Sequence, residues 1–111
     1  SYPERVDAIS DTLDFYELAD LSFYAPDLAN TPCLKLAMDA ARTGGTAACV
    51  MSAANEEAVH LFLDRRLGYN RIYDCAAEAI EAVGVVQEPD LDTILDADQA
   101  ARRFVREKYG A

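Results

Sequence analysis

His60 is the only histidine, with Glu57 three residues before it and Asp64 four residues after. Helical spacing brings these groups to one side of a turn, where an imidazole and two carboxylates could begin a cation site. One nitrogen with two carboxylates is a poor zinc set, and the same spacing describes a solvated helix face, which is the reading adopted. Asp90, Asp92, Asp96 and Asp98 have the acid density of a calcium loop but neither its spacing nor its glycine. Carboxylates in a first helical turn complement the helix dipole, which accounts for Asp90 and Asp92. Thr43-Gly44-Gly45-Thr46 could offer backbone N–H groups to an anion, but it lacks the Lys-Ser/Thr of a phosphate loop. A helix-to-helix turn already explains it. Cys33, Cys49 and Cys75 form no Cys-x-x-Cys pair and read as reduced thiols packed like small apolar side chains, in keeping with a reducing, cytosol-like compartment. No catalytic, cofactor-binding or metal-ligating residue is assigned.

Bulk properties narrow the partners. The 111 residues suit one domain, and 51% apolar content predicts a packed core. Ten Lys/Arg against twenty Asp/Glu give a net charge of −10 with no basic stripe. Nucleic acid and anionic membrane surfaces are therefore excluded as partners. The longest apolar run, Ala47 to Met51, is far too short to span a bilayer.

The elements that must position these residues divide at residue 31. Residues 1–31 carry prolines at 3 and 26 and no sustained helical period. Leu21, Phe23 and Ala25 alternate with Ser22 and Tyr24, which predicts one short strand ended by Pro26-Asp27. No later segment looks like its sheet partner. That lone strand, and a first residue that is not Met, suggest a piece of a longer polypeptide.

From Thr31 onward the pattern is helical. Thr31 is the expected cap of a first helix from Pro32 to about Arg42, with Leu34, Ala37, Met38 and Ala41 inward. Gly44-Gly45 ends it, and Thr46 is the expected cap of a second helix reaching about Asp64. Gly68 and Asn70 make a turn. A third helix spans Ile72–Val83, with Ile72, Cys75, Ala76, Ala79, Ile80 and Val83 inward, and Gly84 breaks it. A last helical region covers 91–109, with Ile94, Ala97, Ala101, Phe104 and Val105 inward and room for a break near Ala97. The fold class is thus all-α: a small four-helix bundle (residues 32–111) preceded by an extended linker with one short strand (residues 1–31).

The second helix, as the most apolar, is placed centrally and carries three faces. Ala47, Met51, Ala54, Ala58, Leu61 and Phe62 form a core face. Ala53, Glu57, His60 and Asp64 form a solvated one. Ser52, Asn55 and Glu56 form a third, polar face that neither core nor water explains.

The stretch PCLKLAMDAARTGGTAACVMSAANEEAVHLFLDRRLGYNRI, residues 32–72, resembles the C-terminal helical domain of the 1-deoxy-D-xylulose 5-phosphate reductoisomerase family. Its most specific element is Ala53-Ala54-Asn55-Glu56 after the Gly-Gly turn, with Ser52 where family members usually have Asn. Serine keeps a donor and an acceptor but loses reach, so one hydrogen bond of the family pattern is in question. Tyr2-Pro3-Glu4-Arg5-Val6 resembles the family's segment leaving the catalytic domain, just beyond residues bordering nicotinamide and substrate. Leu13-Asp14-Phe15 and Leu21 to Asp27 resemble the linker, and Glu88-Pro89 and Asp92 to Arg102 resemble the final helices.

The resemblance implies a non-catalytic scaffold belonging to an enzyme that rearranges 1-deoxy-D-xylulose 5-phosphate and reduces the product with NADPH to 2-C-methyl-D-erythritol 4-phosphate, in non-mevalonate isoprenoid biosynthesis. It implies a homodimer using NADPH and a divalent metal (Mg²⁺, Mn²⁺ or Co²⁺), both held upstream. The catalytic and NADPH-binding domains are then partners within the same polypeptide, in the bacterial cytoplasm or, in a plant or alga, the plastid. By itself this chain would be inactive. Ser52, Asn55 and Glu56 would form an interdomain hydrogen-bonding face, the alternative for these three being that they bond to the linker or to neighbouring helices of this same chain. The alternative is a free-standing acidic helical protein-interaction module.

Overall fold

The structure, a computed structural model, describes residues 2–110 except 5 and 8. Five α-helices follow one another: α1 (Phe15–Leu18), α2 (Pro32–Thr43), α3 (Ala47–Leu63), α4 (Arg71–Val83) and α5 (Leu91–Tyr109). Helices α2 to α5 fall within a residue or two of the expected spans. The short strand over residues 21–25 is absent: the described residues contain no strand at all. A strand needs a ladder partner for its backbone groups, and this chain supplies none. The single turn of α1 was not expected. Asp14 makes it by accepting a hydrogen bond from the Tyr16 amide at 2.8 Å.

Helix α3 is the centre, with α4 and α5 on its flanks and α2 alongside, while α1 touches no other helix. The core joins Val50, Ala53, Ala54, Ala58 and Leu61 of α3 to Ile72, Cys75, Ala76 and Ala79 of α4, and Ala97, Ala101 and Val105 of α5. Seven of those twelve residues are alanine, so the three helices sit close together and leave no room for larger side chains.

Packing on several sides corrects two expected faces. Ala53, assigned to water, is 2% exposed, and the Glu57 side chain is 13% exposed with its carboxylate on Arg106 at 2.9 Å. Phe62, assigned to the core, is exposed, as are His60 and Asp64. A stripe counted for one interface misplaces residues on a helix that has three. Helix α2 is rotated as well: Ala40 is its buried residue and Leu36 packs on the core, while Leu34 and Ala41 are exposed. No break occurs near Ala97.

Neither expected threonine cap forms. The Thr31 hydroxyl donates to the Asp27 carbonyl at 2.6 Å. The Thr46 hydroxyl accepts from the Val86 amide at 3.0 Å, and the Thr46 amide donates to the Val86 carbonyl at 3.0 Å. Thr46 is the buried polar residue of the core and pins the α4–α5 loop to the α2–α3 turn. Gly45 is required there: its φ is +54°, and a Cβ would stand 2.3 Å from the Val86 carbonyl oxygen.

Candidate functional site

The SAANE stretch sits in mid-α3, and its three polar residues meet three different surroundings. Ser52 is exposed. Glu56 turns toward α5, where Arg102 reaches it at 2.5 Å and also binds Asp98 at 2.8 Å. Those two carboxylates, Asp98 first, hold the Arg102 guanidinium firmly protonated. Asn55 turns the other way, half-buried, into a cleft. Among the described residues, side-chain hydrogen bonds from α3 to other elements come from Cys49, Glu56 and Glu57, and none comes from Asn55 or Ser52.

The cleft encloses about 620 Å³ between the approach to α2, the middle of α3 and the start of α4. Thr31, Pro32 and Cys33 form one wall, Asn55 and Val59 the floor, and Tyr69, Asn70, Ile72 and Tyr73 the other wall. Its lining contains no charged residue. Asp27 shapes the first wall by gathering the amides of Ala29 and Asn30 at 3.1 and 3.2 Å, and these bonds, led by the one from the Asn30 side chain, lower its pKa. Phe62 packs edge-on against Tyr69 with ring centroids 5.8 Å apart, extending the aromatic rim.

The other residues singled out for chemistry are dispersed. Among the described residues no three His, Cys, Asp or Glu side chains come together as a metal set. Asp90 caps α5 by accepting from the Thr93 amide at 2.9 Å, and Asp98 belongs to Arg102. The Gly44-Gly45 turn is met by the α4–α5 loop, whose Val86 carbonyl accepts from the Thr46 amide. Cys33 is exposed, Cys49 donates to the Ile94 carbonyl at 3.5 Å, and burial raises the Cys75 thiol to about 11. No helix is long and apolar enough to cross a membrane among the described residues.

Sequence spacing missed the clasp at the end of α5. Glu78 of α4 receives Lys108 at 2.7 Å and the Tyr109 hydroxyl, and Arg71 lies 5.3 Å from the Tyr109 ring centroid. Burial, then the bond to Glu78, pushes Tyr109 up to about 12. Pairing of this kind lies between residues 31 apart and has no local signature; the basic last turn of α5 was the available hint.

Ten large apolar side chains between Tyr2 and Tyr24 are exposed, against seven in the whole of residues 32–110. A chain with its own complete core does not ordinarily leave such a surface open. The family described as "DXP reductoisomerase C-terminal domain" matches residues 1–104. This chain belongs to that family. It is 48% identical over 106 residues to the 1-deoxy-D-xylulose 5-phosphate reductoisomerase of Aromatoleum aromaticum, covering 96% of this chain and 26% of that protein. It is also 48% identical over 110 residues to that of Heliobacterium modesticaldum, covering 99% and 28%. The reductoisomerase of Zymomonas mobilis, solved in complex with NADPH, superposes with a TM-score of 0.83 at 31% identity, covering 99% of this chain and 29% of that one. A further reductoisomerase, solved in complex with magnesium, gives 0.80 at 34% identity, covering 98% and 30%. The chain thus spans little more than a quarter of the curated relatives it matches. A free-standing interaction module finds no support in these matches.

Proposed function

We propose that this chain is the C-terminal scaffold of an NADPH-dependent 1-deoxy-D-xylulose 5-phosphate reductoisomerase, producing 2-C-methyl-D-erythritol 4-phosphate for isoprenoid synthesis. The observation that carries this reading is identity of 48% to reductoisomerases over nearly the whole chain. In this reading residues 1–31 link to the catalytic portion and residues 32–111 form the helical domain. The polypeptide works as a homodimer in the bacterial cytoplasm, or in a plastid in a plant or alga.

NADPH and the divalent ion are assigned to the rest of the polypeptide, since this chain spans only 26–28% of the reductoisomerases it matches, and no chemical step is assigned here. What this chain contributes is position. The bundle is cross-tied by Arg102, Arg106 and Lys108, and its linker presents Leu21, Phe23 and Tyr24 for burial against the catalytic portion. Of the expected interdomain face, Ser52 and Asn55 are left to add polar contacts across the junction, because the Glu56 carboxylate is taken by Arg102 inside the bundle. Small displacements of reacting groups cost large factors in rate, so a loosened scaffold lowers turnover without touching substrate.

The test is the full-length gene product, assayed by NADPH oxidation with 1-deoxy-D-xylulose 5-phosphate and Mg²⁺ or Mn²⁺. Turnover that is lost on deleting residues 32–111 supports the reading. A full-length product that is folded and inert toward this substrate overturns it.

A further inference from the structure

We infer that the charge-free cleft at Asn55 is a docking slot for an extended backbone segment of the same polypeptide, drawn from the portion that precedes residue 1 in the reductoisomerases. The inference rests on the scaffold reading above and specifies where on the bundle the catalytic portion engages.

The chemistry of the cleft selects peptide over other occupants. Charged residues make up 27% of the chain, yet none lines this cleft, so neither an ion nor a phosphate finds a counter-charge. The floor offers the Asn55 carboxamide, which makes no hydrogen bond to another element among the described residues. A carboxamide donates and accepts at once, matching the alternating C=O and N–H of an extended backbone. Tyr69 and Tyr73 on one wall and Pro32 on the other give flat apolar sides for the occupant's side chains.

The topology selects the occupant. Thr31 to Cys33 are both the end of residues 1–31 and a wall of the cleft, so a segment that precedes residue 1 is joined to the cleft through the same polypeptide. That connection makes docking intramolecular. The curated relatives extend well beyond the region matched here, which covers 26–28% of their length. A second copy of this chain is the less favoured occupant, because each copy brings a net charge of −10.

Cys33, exposed in the cleft wall, is a built-in reporter, and buried Cys75 is its control. In the full-length protein, iodoacetamide labelling followed by mass spectrometry should modify Cys33 at least ~10-fold more slowly than in Val59→Arg or Tyr73→Lys, which block the cleft, equivalent to ~1.4 kcal/mol of occupancy. Cys75 should stay protected in all three, showing that the bundle is folded. A photo-crosslinking p-benzoylphenylalanine at position 69, an exposed site that needs no disruption of the core, should join peptides preceding residue 1. Rapid Cys33 labelling in the otherwise unaltered protein, or adducts with a second copy or with residues 2–24, overturns the inference. Turnover measured on the same preparation separates the two readings. An active enzyme with an open cleft removes the slot and leaves the scaffold, whereas an inert protein with a protected Cys33 does the reverse.

Discussion

Residues 2–24 and residues 32–110 are built from similar shares of apolar side chains and treat them in opposite ways. In the bundle Val50, Ala54, Ala58, Cys75, Ala79, Ala101 and Val105 are fully buried. In the N-terminal segment Ile9, Tyr16, Phe23 and Tyr24 stand almost fully exposed. The radius of gyration is 18.6 Å, against about 13 Å for a compact domain of this size. The difference teaches that hydrophobicity predicts burial only where the chain also supplies a second surface. Helices meet that condition internally, because their backbone is satisfied within each helix and their apolar stripes need only one another. A lone extended segment lacks both a ladder and an opposing face.

That contrast predicts that bundle substitutions act in any context and linker substitutions act only in the full-length protein. The largest effect belongs to Gly45→Ala, which needs a left-handed alanine and a Cβ inside the Val86 carbonyl. It should cost about 3 kcal/mol or more in denaturant melts of this chain. Ala101→Leu, inserted into the alanine-rich seam, should cost roughly 1–3 kcal/mol by the same assay. Comparable losses from Phe23→Ser in the 111-residue chain would break the contrast. That variant should stay within about 0.5 kcal/mol there and lower both stability and turnover in the full-length enzyme.

Burial in the core also sets an alkaline limb. Cys75 carries a folded pKa of about 11 against an ordinary 9.0. Its protonated form is favoured by folding, so the associated stability is complete below 9.0 and is lost as pH rises toward 11. The loss should be about 2–3 kcal/mol, and Cys75→Ala should flatten it in pH-dependent melts.

The smallest expected effects separate two residues of one helix. In the full-length enzyme Asn55→Leu should cost roughly 1–3 kcal/mol, seen in melts and in NADPH oxidation, because its amide leaves partners unsatisfied across the junction. His60→Leu, on an exposed position, should stay within about 0.5 kcal/mol. The reverse order would show that the cleft side of α3 is not the docking side.

The four long helices were legible in the sequence because periodicity, Pro32, Gly44 and Gly84 all speak locally. The inward faces of α4 and α5 were legible for the same reason, each helix presenting one stripe to the core. Helix α3 was misjudged at Ala53, Glu57 and Phe62, since a helix packed on three sides has no single apolar stripe to count. Thr46 reads as a cap by type and position, yet its hydroxyl meets Val86, 40 residues away. Arg102 with Glu56 and Tyr109 with Glu78 are likewise long-range pairs that spacing cannot reveal. The polar face of Ser52, Asn55 and Glu56 was visible as an anomaly in a buried helix. Which direction each side chain takes was not, because that depends on where α5 and the cleft walls stand.

Hydrogen exchange on the 111-residue chain and on the full-length enzyme, compared amide by amide, tests the central claim most directly. Core amides of α3, α4 and α5 should be protected alike in both, and amides of residues 21–25 should slow markedly only in the full-length protein. Equal, fast exchange of residues 21–25 in both, or a bundle that is protected only in the full-length enzyme, would contradict the picture of a self-sufficient scaffold whose linker is completed by the rest of the polypeptide.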